Sequence, residues 1–121
     1  SFRDRTLDDL MAIHRNILSK LLSFTADFGK GREDIIQKLD VIRSCYRDAL
    51  VYRETGREDS LINRDRMDII GALSQSFASQ ELLEHLRAVG QALQAIDQNA
   101  NKALTLEAMM FKLAHQRRQE A

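Results

Sequence analysis

Apolar residues recur at spacings of three and four along most of the chain, which is the pattern expected when one face of each helix is buried. Five such runs follow one another, and short polar or glycine-containing segments separate them. Short connections favour antiparallel neighbours, so the pattern predicts an all-α fold, a single antiparallel bundle of about five helices. The runs begin near Leu7, Glu33, Asn63, Ser79 and Lys102; the first reaches about residue 25 and the last about Arg117.

Polar residues and glycines indicate where these helices begin and end. Asn63 and Ser79 stand where N-caps are expected, because their side chains can accept a hydrogen bond from an amide of the first turn. Gly29-Lys30-Gly31 is predicted to end the first helix and Gly56 the second. Gly90 lies inside the fourth helix, where it costs about 1 kcal/mol relative to alanine, so we expect a neighbouring helix to approach closely there.

The fifth predicted helix carries more apolar residues than one buried stripe needs. Leu106 and Phe111 fall beside that stripe, and Val51 and Ile62 lie outside the main runs of the second and third helices. Such side chains either complete a broad core or face a partner, and the pattern leaves both readings open. The predicted buried stripe consists of Leu104, Met109, Met110 and Leu113.

The segment from Asn99 to Glu107 combines a helix end, a corner and a helix start. Asn99 tolerates the left-handed backbone that ends the preceding helix. Asn101 can accept a hydrogen bond from an unpaired amide at the start of the next one. Local chemistry therefore predicts the geometry of this corner.

Three segments occur in order along the chain, namely Arg47-Asp48-Ala49-Leu50, Leu61-Ile62-Asn63-Arg64-Asp65 and the pattern Asn-x-Asn-x-x-Leu-x-Leu-Glu from Asn99 to Glu107. In order and spacing they resemble the C-terminal (collar) domain of the delta-prime subunit of the bacterial DNA polymerase III clamp loader, with the gamma/tau subunit second. The likeness covers roughly residues 35 to 114. One position differs, because Lys102 stands where that family commonly has proline, which leaves the cap intact but loosens the corner.

This resemblance implies a structural function in DNA replication. It implies that the domain packs beside like domains of other clamp-loader subunits, gamma/tau and delta, in a collar that holds their ATPase modules in order for loading the sliding clamp. It implies no catalysis and no cofactor for this domain, because the nucleotidyltransferase and ATPase activities belong to other modules, and contact with DNA only through the complex. Self-association of the isolated domain is a further expectation. The residues implied are Asn99 and Asn101 for the corner, Leu104 and Leu106 for packing, and Glu107 and Arg47 for polar orientation.

Composition limits the remaining classes of function. The 121 residues fit one domain over 1–121, and the absence of proline suits helices. The 18 basic residues are matched by 18 acidic ones, which argues against a primary role in binding DNA by its phosphates. Cys45 is the single cysteine, and no apolar run has the length of a membrane span, so we expect a cytoplasmic protein without disulfides. Because the chain begins at Ser1, we expect an excised C-terminal part of a longer subunit.

Candidate chemistry is sparse. The three histidines are too dispersed for a local metal motif, and Gly29-Lys30-Gly31 lacks the remaining residues of a phosphate-binding loop. The alternative to an assembly domain is a helical ligand-binding or catalytic bundle, with a pocket between helices that uses His14, Tyr46 or Cys45. That alternative predicts a sizeable cavity with convergent polar groups, whereas an assembly domain predicts a filled core and exposed apolar strips.

Overall fold

The computed structural model describes residues 1–15 and 31–115. Over these ranges the chain forms five α-helices and no strand, which confirms the predicted all-α fold. A 3₁₀ turn, Arg64–Arg66, precedes the third of them. The predicted end of the first helix at Gly29-Lys30 and the last residues of the fifth lie outside the described residues, as does the side chain of His14. The helices are α1 (Phe2–Arg15), α2 (Arg32–Thr55), α3 (Met67–Ser76), α4 (Ser79–Asp97) and α5 (Lys102–His115).

Helix α2 is the centre of the bundle, because α1, α3 and α4 all pack against it. Helix α4 runs antiparallel to α2, since Arg32 at the start of α2 pairs with Asp97 at the end of α4. Helix α5 returns along α4. Helix α3 runs in the same direction as α2, because the segment 56–63 first passes back along α2. The largest side chains that are fully buried in this core are Tyr46, Phe77, Leu7, Leu10, Ile35, Leu39, Ile42, Ile70, Leu73, Leu82 and Ile96.

Two residues that were predicted to end or to begin a helix show how far local chemistry determines helix boundaries. Gly56 has a φ of 70°, and its N–H donates to the carbonyl of Tyr52 at 2.7 Å, so the predicted end of α2 is confirmed. The prediction for Ser79 is wrong, because the N-cap of α4 is Ala78. The Ala78 N–H donates to the carboxylate of Glu81 at 2.7 Å, while the Ser79 hydroxyl donates to Glu54.

Among residues 1–15 and 31–115 Gly90 has no close neighbour, so the described part of the chain does not contain the helix contact predicted at this position. A Cβ atom built on Gly90 meets no atom of the described residues within 4 Å, and the same holds for Gly71 in α3. The packing of the described helices therefore gives no steric reason for glycine at either position. Glycine inside a helix still carries its conformational cost relative to alanine.

We expect the substitution Gly90→Ala to stabilise the domain by about 0.5–1 kcal/mol, because it removes this cost and creates no clash. Urea unfolding monitored by circular dichroism measures the difference. Gly71→Ala is the matched control and is expected to give a gain of similar size. A loss of stability in Gly90→Ala alone would show that Gly90 has a role inside the folded domain.

His85 lies in the core between two aromatic rings. Its side chain is fully buried, and its ring centroid is 4.8 Å from that of Tyr46 and 4.6 Å from that of Phe77. Burial lowers the pKa of His85 to about 4, while a hydrogen bond with the Leu113 backbone opposes this shift. The histidine is therefore a neutral core residue at pH 7.

Acidification is expected to destabilise the fold through His85. The unfolded chain takes up a proton near the ordinary pKa of 6.5, whereas the folded chain resists protonation until about pH 4. The free energy of unfolding should therefore decrease as the pH falls from 6.5 to about 4, by roughly 3 kcal/mol in total. Below these values it should change no further through His85. Urea unfolding at a series of pH values measures this slope, and a His85→Leu variant should flatten it between about pH 6.5 and 4.5. Equal slopes for both proteins would rule out His85 as the cause.

Candidate functional site

The first two of the three motifs meet at the carboxylate of Asp48, which is fully buried. One carboxylate oxygen, Oδ1, accepts the backbone N–H of Ile62 at 3.0 Å. The other, Oδ2, accepts the backbone N–H of Asn63 at 2.7 Å and its side-chain Nδ2 at 2.9 Å. These bonds hold the returning segment against α2. We call this arrangement the Asp48 clamp.

Two further side chains complete the Asp48 clamp. Arg47 Nη1 donates to Asp48 Oδ1 at 3.0 Å and to the carbonyl of Ser60 at 3.1 Å. Asn63 Nδ2 also donates to Ser44 Oγ at 3.1 Å. Asn63 stands at the N-cap of the 3₁₀ turn, as predicted, but its side chain makes no capping hydrogen bond, and its amide donates towards α2 instead. Arg47, predicted to orient polar contacts, does so within its own domain.

Asp48 is the residue of this site to which the sequence analysis assigned no function. The available signal was an acidic side chain within the apolar stripe of α2, between Tyr46 and Ala49, both of which are fully buried. A carboxylate at such a position must find donors, because an unpaired buried charge costs several kcal/mol. The pattern thus contained evidence for a buried polar contact, although not for its partners.

The third motif forms the predicted corner. Asn99 has a φ of 63°, its N–H donates to the carbonyl of Ile96 at 3.0 Å, and the N–H of Ala100 donates to Ala95 at 2.9 Å. Together these bonds make a Schellman motif with asparagine at the left-handed position. Asn101 Oδ1 then accepts the N–H of Leu104 at 2.9 Å, as an N-cap does. Both predictions about the geometry of the corner are confirmed.

Helix α5 has two apolar faces, and the predicted positions of Leu104 and Leu106 on these faces are the reverse of the observed ones. Leu106, which was placed beside the core stripe, is only 2% exposed, whereas Leu104, which was assigned to the core, is 65% exposed. The spacing explains the difference, because Leu106 lies three and four residues before Met109 and Met110 and so shares their buried face. Leu104 precedes Leu106 by two positions and therefore points to the other side of the helix.

The exposed face of α5 carries an apolar strip. Leu104, Ala108 and Phe111 follow one another at spacings of four and three, and Phe111 is 56% exposed. Glu107 is exposed on one flank, and Lys112 on the other flank donates to Gln91 of α4 at 2.8 Å. We call Leu104, Ala108 and Phe111 the outer stripe. Of the predicted residues, the structure thus brings Leu104 and Glu107 to the outside of one helix.

Charged side chains are largely paired at the end of the bundle where α1 meets the start of α3. Arg66 contacts Asp4, Asp8 and Asp68 at 2.9–3.0 Å, and so ties α1 to the start of α3. The Arg66 guanidinium, with a smaller contribution from Arg3, lowers the pKa of Asp4 to about 2. Such pairing leaves little unbalanced positive charge at this end of the bundle for attracting nucleic acid.

Of the three side chains named for the catalytic alternative, the two that the structure describes, Cys45 and Tyr46, do not reach the surface. Cys45 and Tyr46 are both fully buried, and burial raises the pKa of the Cys45 thiol to about 12, so it stays protonated. Among the described residues no group of three or more histidine, cysteine or acidic side chains is arranged to hold a metal ion. None of the helices within 1–15 and 31–115 has the length and hydropathy needed to cross a membrane.

The fold and the outer stripe define a helical domain with large apolar side chains exposed on one helix, a class typical of modules that bind other proteins. The chain belongs to the family described as DNA polymerase III, delta subunit, C terminal, whose model matches residues 3–115. Domains of this clamp-loader family are non-catalytic assembly domains. Comparisons with curated proteins and with solved structures gave no match.

We expect Asp48→Ala to destabilise the domain by about 3 kcal/mol, because it leaves the amides of Ile62 and Asn63 without their acceptor. Urea unfolding gives the value. Asp40→Ala is the matched control, since Asp40 lies on the same helix in an exposed ion pair with Arg43, and its loss should change stability by no more than about 0.5 kcal/mol. Equal effects in the two variants would contradict the importance of the Asp48 clamp.

Proposed function

We propose that this domain is the collar domain of a DNA polymerase III clamp-loader subunit, the delta-prime subunit in particular. In this proposal residues 1–121 are one assembly domain of a longer subunit. It packs beside the like domains of gamma/tau and delta in the cytoplasm and helps to hold their ATPase modules in the order needed for loading the sliding clamp. Contact with DNA is made by the complex as a whole.

The family match over residues 3–115 carries the clamp-loader assembly function, and the choice of delta-prime rests on the resemblance of the three motifs. The outer stripe is the physical feature that supports an assembly function. Leu104 and Phe111 keep 65% and 56% of their surfaces exposed on one face of α5. Large apolar and aromatic side chains are the groups that contribute most at protein interfaces when a partner buries them. A neighbouring subunit that covers this face would remove the exposed apolar surface of Leu104 and Phe111 from water.

Residues of the three motifs have two different functions in this proposal. Asn99 and Asn101 fix the direction of α5, and Leu106 anchors its inner face, so these three residues support the fold. Leu104 and Glu107 lie on the outside and are proposed to contact the neighbouring subunit. Arg47 supports the fold through the Asp48 clamp.

A pull-down from lysate of the source organism tests the proposal. The purified domain should recover other clamp-loader subunits, identified by mass spectrometry, and a Leu104→Asp/Phe111→Asp variant should recover at least about tenfold less, because two interface anchors are lost. These sites suit the test because both side chains are exposed, so the variant should fold; Leu106→Asp would place a charge in the core. Circular dichroism verifies the fold of each variant.

Phe2→Asp is the control, because it places the same charge at another exposed aromatic residue, on α1. It should recover as much protein as the unmodified domain. Recovery of gamma/tau together with delta supports delta-prime, whereas recovery of delta-prime with delta identifies the domain as gamma/tau. A folded domain that recovers no replication protein would overturn the assembly function.

A further inference from the structure

A group of ion pairs joins the first turns of α1 to the segment that leads into α3. Arg66 Nη1 donates to Asp4 at 3.0 Å, and Arg66 Nη2 donates to Asp8 at 2.9 Å. Asp4 and Asp8 are one helical turn apart, so the guanidinium lies against one face of α1. The same guanidinium contacts Asp68 at 2.9 Å, and only 16% of the Arg66 side chain is exposed. Its three carboxylate partners, in contrast, face water.

A second arginine crosses the same boundary in the opposite direction. Arg3 on α1 forms two hydrogen bonds with the carboxylate of Asp65 in the 3₁₀ turn, one of them at 2.8 Å. Arg3 also donates to Asp4 at 2.9 Å, so this carboxylate accepts from both arginines. Each side of the boundary thus supplies one arginine that bonds a carboxylate of the other side. We define the Arg66 network as Arg3, Asp4, Asp8, Asp65, Arg66 and Asp68.

The apolar contact of α1 with the core is small in the part of this helix whose side chains the structure describes. Within residues 2–12, Leu7 and Leu10 are the apolar side chains that are fully buried, and Met11 packs beside them only partly buried. The central helix α2 contributes a longer apolar stripe, which runs from Ile35 to Ala49. Charged contacts therefore form a larger share of what holds α1 than of what holds α2.

These two kinds of contact respond differently to salt. Dissolved ions screen ion pairs that face water, and the screening length falls from about 10 Å at 0.1 M to about 3 Å at 1 M ionic strength. The burial of leucine side chains involves no charge that salt could screen. The attachment of α1 should therefore weaken with ionic strength more than the packing of α2 against α4.

We propose that the Arg66 network makes α1 a helix that opens separately from the bundle, more readily as ionic strength rises, while α2 to α5 remain folded. Elements of a domain that are held unequally open in units of this kind. The open form exposes Leu7 and Leu10 together with the part of the core that they cover. Its balance with the closed form is a property of the domain itself, whichever clamp-loader subunit contains it.

Hydrogen exchange of individual backbone amides, followed by NMR on the purified 121-residue domain, tests the proposal. Raising the NaCl concentration from about 0.05 M to about 1 M should accelerate exchange in residues 6–12 at least about fivefold. The amides in the middle of α4 should change by less than about twofold. Equal acceleration in both helices would show that the whole domain loosens, and it would overturn the proposal. Exchange in α1 that ignores salt, or that is as fast as in an unfolded peptide, would overturn it as well.

Removal of the shared guanidinium tests the Arg66 network directly. Arg66→Gln should accelerate exchange in α1 at least about tenfold at low salt and should abolish most of the salt response, because three carboxylates lose their common partner. Arg43→Gln is the matched control, since Arg43 forms an exposed ion pair with Asp40 inside α2, and it should leave exchange in α1 unchanged. Circular dichroism verifies that each variant is folded. An Arg66→Gln protein whose α1 behaves as in the control would overturn the proposal.

An exchange of charges across the boundary separates the effect of the ion pair from the effect of any substitution at these positions. Asp65→Arg places a like charge opposite Arg3 and should open α1. The second substitution, Arg3→Asp, should then restore at least part of the slow exchange, because the pair is formed again with its charges reversed. A double variant that exchanges as fast as Asp65→Arg alone would contradict an attachment through ion pairs.

Discussion

The carboxylate of Asp48 is the contact on which the arrangement of this bundle depends. It is fully buried in the central helix and accepts hydrogen bonds from two consecutive backbone amides, a side-chain amide and a guanidinium. A buried carboxylate is stable only when donors surround it, so the segment that supplies them has to lie against α2. That constraint returns the chain along α2 after Gly56, and α3 consequently runs beside α2 in the same direction. One polar group in the core thus determines the path of the chain between two helices.

Features that depend on neighbouring residues could be predicted from the sequence, and features that depend on distant partners could not. Gly56, Asn99 and Asn101 act through bonds to residues a few positions away, and the structure has all three as predicted. Asn63 and Ser79 are also residue types that favour helix caps, yet their side chains bond to α2, 15 to 25 residues away in the chain. Capping preferences describe what a side chain can do locally, and a buried acceptor elsewhere in the fold can outweigh them. The all-α fold could be predicted because every helix has its own apolar periodicity.

The candidate surface could be predicted only in part, for a related reason. The pattern identified α5 as the helix with surplus apolar residues, and Phe111 as one that can face a partner. It placed Leu104 in the core and Leu106 at its edge, because a helix with two apolar faces offers two stripes of similar quality. Packing against α4 and the rest of the core decides between them, and the buried face proves to be the one that contains Leu106, Met109 and Met110. The Gly90 position was noticed for its cost, but only the structure shows that no described residue packs closely enough to require glycine there.

The corner before α5 links the core to the proposed interaction surface. An α-helix has about 3.6 residues per turn. A shift of one residue at the start of α5 would therefore rotate both of its faces by more than a quarter turn. The left-handed Asn99 and the Asn101 cap define where the helix begins, and Leu106 in the core holds the rotation that results. The exposed position of Leu104 and Phe111 therefore follows from the same bonds that close the corner. This coupling gives a physical reason for the motif to contain the corner asparagines together with both an inner and an outer leucine. The asparagines and the inner leucine set the direction in which the outer leucine points.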